Sequence, residues 1–260
     1  MRRHILTEMA GNPQFISGIY NYCDRWCERC PLTSRCLVYA QEKEDDDDSP
    51  ETRDINNEAF WRNLASIFQE TREMIEEWSK EAGIDLSQID TEEVDRRQKR
   101  RDRAERNRLA VAGKEYASSV TEWFNEFDKT IAASDVEADE SDREIAQQLD
   151  DAREVIHWYQ YQIAVKTMRA LSSRKDEQED GFEDQLVWKD SDGSAKVALI
   201  GIDRSISAWR LVQLSVPERT ELVVPLILQL EQLRQRTEKA FPYARDFIRP
   251  GFDEVLGDAN

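Results

Sequence analysis

Glycine and proline are scarce, at 9 and 7 in 260 residues, histidine occurs twice and cysteine four times. So few turn formers leave little with which to build hairpins, while Ala, Glu, Arg, Leu and Gln are plentiful, a balance that suits long helices. No run reaches the ~18 apolar residues of a membrane span. The opening MRRHILTEMAGNPQ carries two arginines but no continuous apolar stretch of the kind a secretory signal needs. A cytoplasmic chain without a membrane segment is therefore expected. Positive charge is also in deficit, with 36 Lys and Arg against 54 Asp and Glu giving a net −18. A field of that sign repels polyanions, which argues against nucleic acid or an anionic membrane as the main partner. Phosphate-cradling glycine loops, nucleophile elbows and HExxH are all missing.

What is present is helical periodicity. From Asn57 to Ala82, apolar residues recur at Phe60, Leu64, Ile67, Phe68, Met74, Ile75 and Trp78, which predicts a helix with one buried face, stopped by Gly83. A second helical stretch, Thr91 to Ala133, changes character midway. Its first half is nearly free of apolar residues, whereas Leu109, Val111, Tyr116, Val120, Trp123, Phe124 and Phe127 give the second half a packing face. A third helix is expected from about Arg143 to Leu171, then a loop over 173 to 194, then a buried helix in AKVALIGIDRSISAWRLVQL, where Gly201 permits close helix contact. The last helix, ERTELVVPLILQLEQLRQRTEKAF, should kink at Pro225 and end at Pro242. These elements predict an all-α fold, a bundle of about four to five long helices. The acidic EKEDDDDSPETRD marks a linker over 42–56, separating an N-terminal module (1–41) from the bundle (57–249), with a C-terminal tail at 250–260.

Every cysteine lies in CDRWCERCPLTSRC, at Cys23, Cys27, Cys30 and Cys36. In a chain of this size a core forms without disulfide staples, so in a reducing compartment these are thiols or metal ligands. Phe15, Ile16, Ile19 and Tyr20 recur at helical spacing, and Cys23, Cys27 and Cys30 continue the stripe. On a straight helix Cys23 and Cys30 would stand ~10 Å apart along the axis, too far for one zinc with Zn–S bonds of ~2.3 Å. Pro31 biases its predecessor away from helix, so the helix is expected to end near Cys27 to Cys30 and Cys36 to return to the same side. The leading reading is an iron-sulfur cluster of the four-iron four-sulfur type, since a larger cluster tolerates tight sequential wrapping. A zinc ion is the competing cofactor, and buried free cysteines are the third reading. Arg25, Arg29 and Arg35 would offset thiolate charge, and Tyr20, Tyr22, Trp26 and Tyr39 would shield the site. The first three cysteines resemble the CxxxCxxC run of radical S-adenosylmethionine enzymes. That resemblance covers eight residues and implies an α/β barrel, whose strand and helix alternation this chain lacks.

Two further features are candidates. Glu154 and His157 form an ExxH pair that resembles half of a ferritin-like di-iron site, and with Asp203 it would make a metal-dependent oxidoreductase site inside the bundle. The second half is missing, because His4 is the only other histidine. The block from Arg96 to Arg108 holds eight basic residues against Asp102 and Glu105, which reads as a solvated helix or as a docking arm for a protein partner. DSDG lacks the remaining ligand spacing of a calcium loop.

Overall fold

The computed structural model describes residues 11–45, 49–86, 91–131, 140–179 and 189–253. Among them are eight α-helices and no strand: α1 (Leu37–Asp45), α2 (Pro50–Arg53), α3 (Glu58–Ala82), α4 (Thr91–Glu105), α5 (Arg108–Ile131), α6 (Glu140–Glu179), α7 (Asp190–Ser215) and α8 (Thr220–Ala240). The all-α class agrees with the composition, and the helix count exceeds the four to five expected. Among the described residues, no helix is long and apolar enough to cross a membrane. The chain forms two compact units, one of residues 1–20 and 27–96, the other of residues 21–26 and 97–260.

The N-terminal segment departs most from expectation. The helix predicted to carry the cysteines does not form; short 3-10 turns at Ile19–Asn21, Cys27–Arg29 and Thr33–Arg35 replace it. Several local features oppose a helix. Gly18 and Arg25 have positive φ, 73° and 57°, outside the helical region. The Asp24 carboxylate accepts the Trp26 backbone N–H at 3.3 Å, a local bond that competes with the helical ladder. The expected linker over 42–56 is also largely helical, with α1 running to Asp45 and α2 over Pro50–Arg53; residues 46–48 lie outside the described part. Ser-Pro here opens a helix, because proline at its first position loses no hydrogen bond.

Helix α3 has the ends its sequence predicts. The Asn57 side chain accepts the Ala59 N–H, and Gly83 closes the helix in the left-handed conformation, with φ 68°. Its apolar face, however, is not the buried face expected. Trp61, Ile67, Phe68, Ile75 and Trp78 are all exposed, and α3 belongs to the first unit instead of the bundle.

The second unit contains a four-helix bundle in which α5 packs on α6, α6 on α7, α7 on α8, and α8 closes against α5. The periodicity explains each buried face. Along α6 the buried apolar residues include Ala152, Ile156, Tyr159, Ile163, Ala170 and Leu171; along α8 they include Val223, Leu226, Leu230 and Leu233. Each large buried side chain contributes about 1.5–3 kcal/mol. Trp209 is fully buried at the centre, edge-on to Trp123 with ring centroids 4.9 Å apart, and its Nε1 donates to the Tyr116 hydroxyl at 2.9 Å. Gly201 allows the close approach foreseen for it. A Cβ there would lie 2.8 Å from the Tyr159 ring and 3.2 Å from Ile163 on α6.

Three boundaries moved. The stretch from Thr91 breaks after Glu105, where the Asn107 side chain accepts the Leu109 N–H and starts α5 as a separate helix. The loop expected over 173 to 194 is helical at both ends, since α6 runs to Glu179 and DSDG forms the first turn of α7, its acidic residues suiting a helix N-terminus. Residues 180–188 lie outside the described part, as does His4. Pro225 lies within α8, which runs through it from Thr220 to Ala240.

Candidate functional site: the cysteine segment

Residues Asn21–Trp26 pack with the bundle, and Asp24 is their anchor. Its carboxylate accepts from the Tyr159 hydroxyl and pairs with the Arg204 guanidinium at 2.7 Å. Its backbone carbonyl accepts the Trp158 indole N–H at 3.0 Å and the Gln162 side-chain amide. Trp26 stacks on Trp158 with centroids 5.0 Å apart and planes 16° from parallel, and it meets the edge of Tyr159. Arg204 also lies over the Tyr159 ring, 5.7 Å from its centroid. Burial pushes the Tyr159 phenol above its ordinary pKa, and the Asp24 carboxylate adds to that shift, so Tyr159 stays a protonated donor.

Tyr22 anchors the same segment on the other side of Cys23. Its ring packs against Phe247 at 4.7 Å, and its hydroxyl donates to Asp190 at 3.1 Å. Asp190 also receives Arg169 at 2.9 Å and Ser173 at 2.6 Å. Tyr22 and Trp26, expected to shield a metal, here fasten the segment to α6 and α7.

Cys23 is half-buried between these anchors. Burial pushes its thiol above its ordinary pKa; the Arg25 backbone N–H, which donates to the sulfur, and the charge of Lys166 act in the opposite direction. Lys166 answers in kind: burial pushes its ammonium down, and the Cys23 sulfur opposes that shift.

The other three cysteines belong to the first unit. Cys27 and Cys30 bracket a tight turn in which the Cys30 N–H donates to the Cys27 carbonyl at 3.2 Å. The Leu32 N–H donates to the Cys30 sulfur at 3.4 Å. Cys36 closes the next turn by donating to the Thr33 carbonyl at 3.2 Å. No cysteine is in a disulfide. Among the described residues, no group of three or more His, Cys, Asp or Glu side chains is gathered as a metal site.

The remaining candidates separate. Glu154 and His157 lie exposed on the outer side of α6, with His157 edge-on to Phe124 at 5.7 Å, so the ExxH pair does not enter the bundle interior. Helical phase explains the correction: Ile156, Tyr159 and Ile163 take the inward positions. Asp203 pairs with Arg245 at 2.6 Å and Arg234 at 3.6 Å. In the basic block, Arg96 pairs with Glu93 at 2.9 Å within its own helix, and Arg101, Arg103, Arg106 and Arg108 are exposed.

Two carboxylates of this unit set an acid limit. Burial works to raise Asp190, but the bonds from Ser173, Arg169 and Tyr22 prevail and hold it below its ordinary pKa. Burial opposes Asp253 likewise, and Arg249 with Lys196, the latter at 2.9 Å, holds it well below. The unfolded chain takes up these protons near pH ~4 and the folded chain only at lower pH, so their stabilisation is complete above that value and lost as pH falls through the folded values. Denaturant midpoints are expected to be level from pH 7 to 5 and to fall between pH 4 and 2. Arg249→Ala should flatten that fall, and a midpoint unchanged at pH 3 would contradict the assignment.

The chain matches no family model, no curated protein and no solved structure.

Proposed function

We propose that the chain is a metal-thiolate protein, with Cys23, Cys27, Cys30 and Cys36 as ligands to an iron-sulfur cluster or, in competition with it, a zinc ion. The observation that supports this reading is a repeated turn. Cys23 and Cys30 each receive a backbone N–H from the residue two positions later, Arg25 and Leu32 respectively. Such donors stabilise a thiolate more than a thiol, and hydrogen bonds to sulfur are among the means by which proteins tune iron-sulfur clusters. The positive φ of Arg25 costs energy in a non-glycine residue, and this bond is one return on it.

Burial alone leaves Cys23 a neutral thiol, and a bound cation reverses that tendency. Metal ligation and folding of the ligand loop are coupled, so a cation gathers thiols that the chain by itself does not. Four sulfur donors suit either group. An iron-sulfur cluster would supply one-electron chemistry, whereas zinc would supply structure only.

Replacing each cysteine in turn by serine tests the reading. Anaerobically purified chains with Cys23→Ser, Cys27→Ser, Cys30→Ser or Cys36→Ser are each expected to carry several-fold less metal than the parent. Equal metal content in all four variants would sink the ligand set. A second reading, a helical adaptor using the charged stretch from Arg96 to Arg108, is favoured by the exposed Arg101, Arg103, Arg106 and Arg108. It would require charge reversal there to abolish binding to a defined acidic protein, with metal content unchanged.

A further inference from the structure

Residues 241–253 follow α8 and lie along α7 as a strap built of turns, with no helix of their own. Phe241, Ala244 and Phe247 are its buried apolar side chains. Its polar fastening is concentrated on one lysine. Lys196 of α7 donates to the Arg245 carbonyl at 3.2 Å and the Phe247 carbonyl at 2.6 Å, and pairs with the Asp253 carboxylate at 2.9 Å. Its side chain is mostly buried, so these charge-assisted bonds are stronger than they would be in water. Arg245 adds a second fastening, donating to Asp203 on α7 at 2.6 Å and to Glu238 on α8 at 2.8 Å.

The strap reaches the cysteine segment through one ring. Phe247 packs against Tyr22 with centroids 4.7 Å apart, and both rings rest on Gly193, where an added Cβ would lie 2.4 Å from Tyr22 and 2.7 Å from Phe247. Cys23 is therefore held on its two sides by different parts of the chain. Asp24 is bound by side chains of α6 and α7, whereas Tyr22 has the strap against its ring. We propose that the strap is a latch on the cysteine segment. Docked, it pins Tyr22 over Gly193 and keeps Cys23 half-buried; undocked, it opens the Tyr22 side, and Cys23 with it, while Asp24 holds the other end. A segment without a helical hydrogen-bond ladder opens at lower cost than the bundle helices around it. Metal ligation would protect all four thiols together, while the latch protects Cys23 alone, so the two readings fail separately.

The full chain, kept reduced and with a chelator present, should be alkylated with iodoacetamide, and the rate at each cysteine read by peptide mass spectrometry with Cys36 as the internal reference. Phe247→Ala is expected to raise the rate at Cys23 relative to Cys36 at least about five-fold, as local opening of this one segment requires. Lys196→Met, which keeps the apolar stem and removes the three strap bonds, should do the same. Phe247→Leu keeps most of the buried volume and should stay within about two-fold of the parent. Circular dichroism is expected to show the helix content of these variants unchanged. A Cys23 to Cys36 ratio unchanged in both Phe247→Ala and Lys196→Met would overturn the latch. So would equal acceleration at all four cysteines, or loss of helix in both variants, since the strap would then be one part of the bundle's global stability.

Discussion

Replacing Asp24 with alanine is expected to destabilise the bundle unit by about 3 kcal/mol, because two hydrogen bonds to a charged group are lost and each is worth ~1.5–3 kcal/mol. The substitution strands the Tyr159 hydroxyl and the Arg204 guanidinium, which together hold the carboxylate. Arg204 can turn to water, being half exposed; the Tyr159 hydroxyl lies against the segment and cannot do so as readily. The carbonyl bonds from Trp158 and Gln162 depend on the segment staying in place, so they weaken with the anchor. Asp24→Asn keeps an acceptor for Tyr159 and loses the charge, with a cost of about 1 kcal/mol expected. Chemical unfolding followed by fluorescence checks both, since Trp26 and Trp158 are stacked in the folded state. An alanine variant within 0.5 kcal/mol of the parent, a margin typical of surface substitutions, would remove Asp24 from its assigned role.

The second large effect concerns Gly193, in the first turn of α7. Helix propensity alone says that alanine there stabilises by ~1 kcal/mol. Packing says the opposite, and it wins. A Cβ at this position would sit 2.4 and 2.6 Å from two carbons of the Tyr22 ring and 2.7 Å from Phe247. Either Tyr22 or Phe247 must move, and moving Tyr22 also breaks its bond to Asp190. Overpacking of this kind typically costs ~1–3 kcal/mol, so Gly193→Ala is expected to destabilise by about 2 kcal/mol. In a Tyr22→Ala background the penalty should shrink by at least about 1 kcal/mol, the coupling expected of residues in contact. A stabilised Gly193→Ala chain would show that the segment does not press on α7.

The bundle was legible in the sequence because its helices have strong, sustained periodicity. The alternation that puts Ile156, Tyr159 and Ile163 inward can be counted from the letters, and so can the charged, uncovered character of α4. Phase was the weak point at Glu154 and His157. An i, i+3 pair shares a face, but only the neighbouring apolar residues say which face is inside, and here they turn the pair outward. The cysteine segment failed differently. Its helical stripe from Phe15 to Cys30 is real as a pattern, but Gly18 and Arg25 take a positive φ outside the helical region and the Asp24 carboxylate bonds the backbone locally. The contacts that fix Asp24 come from residues 134 to 180 positions away, and no local pattern announces them. One clue lay in the letters: Gln162 and Arg204 are polar residues inside apolar helix runs, and such groups need partners. The α3 face shows the opposite limit, since amphipathicity predicts that a face will be covered but not by what.

The central claim is that the four thiols hold metal, and metal analysis of the full chain purified without oxygen tests it most directly. About four iron and four acid-labile sulfide per chain with visible absorbance, as a four-iron cluster requires, or about one zinc in a colourless protein, is the expected result. A colourless, metal-free chain whose four cysteines all react with a thiol reagent under native conditions would contradict it.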